Sequence, residues 1–216
     1  NTAMGGLISG WRRAWGQDFP VLYVQKPSGG GCAFSEVLKK RTPRFDFPPE
    51  KYVAGGFERL SYQSLEKYPG VAMGIAVDLN GGLHPIPKDR YGKRMAQLAL
   101  GKVYGKNGEW MPPRYAKHTL VGNQVRVDFD QVGKGLTTPK DEPVSGFIVA
   151  GSDRHFVWAQ AKIEGNTVVV WSDQVPEPAA VRYAWAGQVS WANLYGKNEL
   201  PVLTFRTDDW PQETRP

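Results

Sequence analysis

Apolar positions in this chain follow one spacing up to about Val103 and another beyond it. Leu7, Ile8, Trp11 and Trp15 recur at the three-to-four spacing of a helix's apolar face, and Gly16 is a stop signal. Pro20–Gln25 is a near-continuous apolar run of strand length, the pattern of a strand buried on both faces. Lys26–Gly31 predicts a loop, and Thr42–Gly56, with Pro43, Pro48, Pro49 and a Gly pair, predicts an irregular excursion. Phe57–Tyr68 sets Leu60, Ser64 and Leu65 on one side of a second helix, which Pro69-Gly70 ends. Val71–Asp78 is a second buried strand, and Lys88–Val103 a third helix with Tyr91, Met95 and Leu98 in register. Helix–strand–helix–strand–helix predicts a parallel sheet flanked by helices.

After Gly105–Pro113 the spacing drops to two. Gln124–Asp130 alternates polar and apolar without a break, as a half-buried strand does. Ser145–Ala150, His155–Ala161, Thr167–Trp171 and Ala180–Trp185 follow as short strands. Gly151-Ser152-Asp153, Glu164-Gly165-Asn166 and the Pro176/Pro178 stretch separate them. Such punctuation predicts an antiparallel β-sandwich. The expected class is therefore α/β followed by all-β, with residues 1–108 forming part of an α/β domain and residues 109–216 a β-sandwich.

Composition bounds the rest. A chain of 216 residues with 41% hydrophobic and 22% charged positions is ordinary globular material. The net charge of +6 raises the question of nucleic acid, but the basic residues are scattered. Their clusters, Arg12-Arg13 and Lys39-Lys40-Arg41 with Arg44, come with no groove-reading or RNA-binding motif and read as solvated surface. No apolar run approaches the roughly 20 residues of a membrane helix. Neither a nucleic-acid nor a membrane partner is expected. A single cysteine, Cys32, excludes an internal disulfide and a cysteine-based metal site, and leaves the compartment open. The start at Asn-Thr-Ala, without Met or a signal-type apolar segment, is expected of a processed or truncated chain.

Candidate chemistry gathers where the second strand runs out. Asp78 closes it, and a Gly-rich loop, Asn80-Gly81-Gly82-Leu83, then presents His84, with Pro85 stiffening its far side. Ligands of open α/β sheets sit beyond the carboxyl ends of the strands, and a carboxylate with an imidazole there reads as the orienter and general base of a hydrolase. The competing readings are an imidazole bonded to backbone and an Asp that caps the following turn. The six-residue gap from Asp78 to His84 exceeds the three-residue spacing common in serine esterases, and Gly81 occupies that nearer place. No persuasive nucleophile accompanies the pair: there is no Gly-x-Ser-x-Gly elbow. Ser28 and Cys32 flank Gly29–Gly31, a loop able to cradle phosphate but lacking the Gly-Lys-Ser/Thr ending of a P-loop. His155 alternates with Phe156 and Trp158, so a strand surface position is expected, and His118 lies in the same β-rich half. Trp158, Trp171, Trp185, Trp191 and Trp210 suit either sugar stacking or core filling, core filling being the commoner use.

The chain resembles the C-terminal part of the sialate O-acetylesterases, carbohydrate esterases of the SGNH-hydrolase type. Four stretches carry the likeness, in order along nearly the whole chain. They are Trp11-Arg12 to Gly16 with Phe19–Gln25; Val77-Asp78-Leu79 with His84-Pro85, Lys88 and Gly92–Arg94; Val144–Asp153 with Ala159–Ala161 and Val168–Val170; and Val181–Trp185 with Asn193–Tyr195, Leu200-Pro201 and Phe205–Asp208. The resemblance implies a partial SGNH-like parallel sheet with its accompanying sandwich, an O-acetylated carbohydrate as substrate, and His84 as catalytic base. Many members place an Asp two residues before that histidine. Gly82 stands there, which leaves Asp78 as the remaining candidate acid. The family's Gly-Gln-Ser-Asn segment with its nucleophilic serine is absent, as is its Gly-Glu-Ser-Asn segment, of which Asn1-Thr2 could be the tail. The resemblance therefore implies a missing N-terminal half of the catalytic domain, no metal or organic cofactor, and a secreted or periplasmic home. The alternatives are a non-catalytic carbohydrate-binding or scaffolding module and, third, a phosphate-binding protein using Gly29–Gly31.

Overall fold

The computed structural model describes residues 2–27, 55–79, 88–187, 189 and 191–211. His84, Ser28, Gly29–Gly31, Cys32, the basic cluster at 39–44 and nearly all of the predicted excursion at 42–56 lie outside the described residues. The chain opens with helix α1 (Thr2–Trp15) and strand β1 (Val21–Val24). Helix α2 (Gly56–Gln63) runs into a 3-10 turn at Ser64–Lys67, followed by strand β2 (Val71–Gly74) and helix α3 (Lys88–Lys102). β1 and β2 pair in parallel, Val21 against Val71 through Val24 against Gly74. β2 is buried throughout, as a strand covered on both faces must be. α3 packs over it, with the Met95 sulfur seated where a side chain at Gly74 would project.

Three expectations need correction here. The apolar stripe of α1 is largely uncovered: Ile8 is buried, but Leu7 and Trp11 are each 42% exposed and Trp15 68%. The helix is held instead by its polar side, where Arg12 donates to the carbonyls of Phe19 and Pro69. The second helix is α-helical only to Gln63. The second strand ends at Gly74, four residues before Asp78. Beyond it the Ala76 N–H turns to the Gln25 side chain at 3.4 Å, and Leu79 N–H closes a turn onto the Ala76 carbonyl. Ile75 and Val77 stay buried without a ladder, so the apolar run signalled burial rather than strand length.

The β-rich half comprises β3 (Arg114–Val121), β4 (Gln124–Asp130), β5 (Leu136–Thr137), β6 (Phe147–Ala150), β7 (Val157–Trp158), β8 (Gln160–Glu164), β9 (Thr167–Trp171), β10 (Ala180–Tyr183), β11 (Tyr195–Gly196) and β12 (Phe205–Arg206). They form two antiparallel four-stranded sheets, ordered β3-β4-β9-β8 and β12-β10-β6-β7, and a β5-β11 ribbon. β4 spans the predicted residues and buries every second one, Val125, Val127 and Phe129. The predicted strand over His155–Ala161 is two strands in two different sheets. His155 precedes both and lies exposed on a loop. The sheets are small and the class is mixed α/β.

One hydrophobic core crosses residue 108. Met73, Ile75 and Val77 belong to the same cluster as Val125 and Val168 of one sheet and Phe147, Val149 and Val181 of the other. Polar ties follow the same line. Buried Arg59 of α2 donates to the carbonyls of Ala184, Ala186 and Gly187, and desolvation lowers its pKa to about 10, which leaves it a cation at neutral pH. Glu66 accepts from Arg114 at 2.5 Å. Arg182 of β10 makes two 2.8 Å bonds to the carboxylate of Asp208, two residues past the adjacent strand β12, while its guanidinium lies over the rings of Phe156 and Trp185. The stretches Val181–Trp185 and Phe205–Asp208 are thus one packed unit.

Candidate active site

The carboxyl ends of β1 and β2 point the same way, and the chain beyond them forms the crest on which the candidate chemistry was expected. Gln25 lies at the end of β1, 1% exposed. Its Oε1 accepts from Ala76, while its Nε2 has no hydrogen-bond partner among the described residues. Asp78 lies beyond β2, and among the described residues its carboxylate is held by three donor atoms. Arg94 of α3 reaches it with both terminal nitrogens, Nη1 to Oδ1 and Nη2 to Oδ2, each at 2.7 Å. The Tyr195 hydroxyl, at the start of β11, donates to Oδ2 at 3.1 Å. Arg94 Nη1 also donates to the Ile75 carbonyl at 3.0 Å, so the same guanidinium fixes both the backbone and the side chain of the crest. Fork-to-fork pairing of this kind orients as well as attracts.

The surroundings are largely desolvated, the Asp78 and Arg94 side chains being 9% and 12% exposed. Burial, and then the Asp78 charge, push the Tyr195 hydroxyl well above the ordinary tyrosine range. Tyr91 is raised to about 12 by burial first and Asp78 second. Both phenols therefore stay protonated as donors at neutral pH. Asp78 also stands on the wall of an open cleft of about 1020 Å³ between α3 and the β-rich half, lined among others by Arg90, Gln97, Trp110 and Asn198. Two of its amides are used within the protein: Gln97 Nε2 donates to the Glu109 carbonyl, and Asn198 Nδ2 to those of Glu109 and Met111.

Of the residues singled out from sequence, Asp78 is placed at the crest, and its described partners are Arg94 and Tyr195. His118 is bonded through Nδ1 to the Tyr115 hydroxyl at 2.7 Å on β3. Among the described residues no group of three or more His, Cys, Asp or Glu could hold a metal ion. Trp185 is core, 2% exposed; Trp158 packs edge-on against Trp191 at 5.1 Å, and Trp210 lies against Phe156 at 5.7 Å. Sequence reasoning gave Arg94, Tyr195 and Gln25 no role of their own. Arg94 left a signal, because it falls three residues after Tyr91 and four before Leu98, and a cation on that buried stripe demands a partner. Tyr195 left none, lying 117 residues from the carboxylate it serves.

No family model matches the chain, and no curated protein matches it. Among solved structures it is similar to a carbohydrate acetylesterase from Xanthomonas citri, with a TM-score of 0.77 and 30% sequence identity over 94% of this chain. The chain spans 44% of the length of that protein. This likeness supports a carbohydrate esterase family for the fold described above.

Proposed function

We propose that this chain is the C-terminal portion of a carbohydrate O-acetylesterase of the SGNH type, acting on sialate-type or related O-acetylated sugars. The observation that carries the reading is the similarity, over 94% of the chain, to a carbohydrate acetylesterase, with a carboxylate at the carboxyl end of the parallel pair. A serine from the rest of the catalytic domain attacks the acetyl carbonyl, and His84 takes its proton. The tetrahedral intermediate collapses as His84 returns that proton to the leaving sugar oxygen. Water, deprotonated by His84, then releases acetate and frees the serine. Asp78 is the orienting acid. Arg94 and Tyr195 fix its carboxylate; among the described residues Oδ1 accepts only from Arg94, which leaves it able to accept an imidazole N–H. Residues 109–216 are the accompanying β-sandwich.

The test is acetate release from an O-acetylated sugar by a polypeptide that carries this chain together with a serine-bearing half. His84→Ala is expected to lower kcat by about 1,000-fold or more, in line with loss of a triad member. An unchanged rate removes His84 from the mechanism.

A further inference from the structure

The sheet β3-β4-β9-β8 turns one face to the core and the other away from it. Val125, Val127, Val168 and Val170 fill the core, so the residues alternating with them on β4 and β9 point outward, and the pairing register carries that outer face across β3 and β8. Three rows cross the strands there. Lys117, Asp128, Thr167 and Glu164 form one, and Thr119, Arg126, Val169 and Lys162 the next. In these two rows the charges satisfy one another. Arg126 donates to Glu164 at 3.0 Å and Lys162 lies 3.9 Å from the same carboxylate, while Lys117 lies 4.0 Å from Asp128, which also accepts from the Thr167 hydroxyl. The third row is of another kind: Val121, Gln124, Trp171 and Gln160. Half-buried Trp171 stands between two glutamines, and exposed Val121 extends the row at the sheet edge. Among the described residues no hydrogen bond, ion pair or ring contact engages the side chains of Gln124, Trp171 or Gln160. The indoles of Trp158, Trp185, Trp191 and Trp210, by contrast, are all taken up by ring partners.

We infer that this row is a binding platform for an uncharged polysaccharide, with Trp171 as the stacking surface and Gln124 and Gln160 as its polar flanks. An indole is flat and apolar on its face, which suits the C–H face of a sugar ring, and carries an N–H at its edge. A glutamine amide both donates and accepts, as does each sugar hydroxyl. Residues directly opposite each other on neighbouring strands have Cβ atoms about 4.5–5.5 Å apart, so both amides reach the rim of a ring stacked on the indole. The row spans three strand spacings, roughly 14 Å, which matches a short stretch of glycan chain rather than a single sugar. Charge selects the class of ligand: every ionised side chain of the two adjoining rows already has an opposite partner, so the face offers no uncommitted charge to a uronate-rich or sulfated polymer. A protein partner finds one indole and one valine there, too little apolar surface for the core of an interface. The platform asks nothing of Asp78 or His84, so it does not rest on the esterase reading.

The experiment is affinity electrophoresis of the complete chain, run toward the cathode through gels containing soluble arabinoxylan, galactomannan or mixed-linkage β-glucan, with sedimentation in parallel. At least one of the three polymers is expected to retard the protein. Trp171→Ala weakens that binding about tenfold or more, as loss of a central aromatic contact does, and Trp171→Tyr, which keeps a ring, restores part of it. The double variant Gln124→Ala with Gln160→Ala removes side chains that make no contact within the fold, so it stays folded and weakens binding several-fold. His84→Ala binds as the parent does. Retardation by none of the three polymers overturns the inference, and so does retardation that survives Trp171→Ala undiminished. A Trp171-dependent dimer in sedimentation, without retardation, gives the face to a second copy of this chain and overturns it equally. Loss of binding in His84→Ala places the glycan at the crest instead and is a further refutation. Polymer binding that depends on Trp171 in a protein found to release no acetate upholds the platform and defeats the esterase reading alone.

Discussion

Asp78 and Arg94 face each other through two parallel hydrogen bonds of 2.7 Å, one residue from the crest of the sheet and the other from the middle of α3. Removing one member leaves the other nearly buried and uncompensated. Arg94→Met is expected to destabilise the protein by about 3 kcal/mol in urea unfolding. Lys93→Met, one residue earlier, breaks only the solvent-exposed pair with Glu199 and is expected to cost less than about 0.5 kcal/mol. Equal losses from the two variants would deny the Asp78–Arg94 pair any special weight.

Tyr195→Phe removes a single hydroxyl from the Asp78 carboxylate and leaves the ring in place. A hydrogen bond to a charged group contributes about 1.5–3 kcal/mol, and a loss in that range is expected from chemical unfolding. In a double-mutant cycle with Asp78→Asn the effect shrinks, because both changes strike one contact. Full additivity would show that the hydroxyl acts elsewhere.

Alkaline stability follows from the buried phenols. Tyr23, Tyr91, Tyr183 and Tyr195 are all raised above the ordinary tyrosine value, chiefly by burial, with Tyr91 reaching about 12. Above about pH 10 the unfolded chain sheds these protons and the folded protein keeps them, so their contribution is full below pH 10 and declines as pH rises from there. Denaturant midpoints are expected to fall through pH 10–12, and Tyr91→Phe should flatten the fall. A midpoint that stays level across that range contradicts the assignment.

The Arg182–Asp208 pair is more deeply buried, with side chains 7% and 1% exposed. Asp208 also accepts from the Trp210 backbone N–H. Asp208→Asn leaves the Arg182 cation between Phe156 and Trp185 without its counter-charge, and a loss of about 3 kcal/mol or more is expected. A thermal melt within about 2 °C of the parent would refute this.

Gly56 opens α2 directly against the Trp185 indole, so that a Cβ there would run into ring atoms. Neither the fully packed indole nor the helix start can give way freely. Gly56→Ala is expected to cost about 1–3 kcal/mol, against the gain that alanine normally brings to a helix. Gly6→Ala in α1, where nothing lies within 4 Å of the added carbon, is the control and should be neutral or stabilising.

Periodicity located elements well where one face is buried and the other wet. β4 was legible because Val125, Val127 and Phe129 alternate with Arg126 and Asp128, and α3 because Tyr91, Met95 and Leu98 share a face. It failed where a pattern reports what is apolar without reporting what covers it, as with Trp11 and Trp15 on α1. It failed again at Val71–Asp78, where Gln25 lends a side chain to Ala76 in place of a ladder. β12 carries two residues, too few for any period, yet holds Phe205 in the core. At the crest Asp78 stood out as a strand-end carboxylate, although β2 stops four residues before it. Its Tyr195 partner did not, since only the folded chain brings the two together.

The three carbonyls gathered around Arg59 bear on how this polypeptide has to be handled. They belong to residues 184–187, while the guanidinium belongs to α2, so severing the chain near residue 108 would strand a desolvated cation in one fragment and unclaimed acceptors in the other. Each fragment would also inherit a raw apolar wall, Met73 and Val77 on one side, Val125 and Val181 on the other. Any test of glycan binding by the β-rich half therefore has to use the uncut chain, because the excised half would fail for reasons of folding alone.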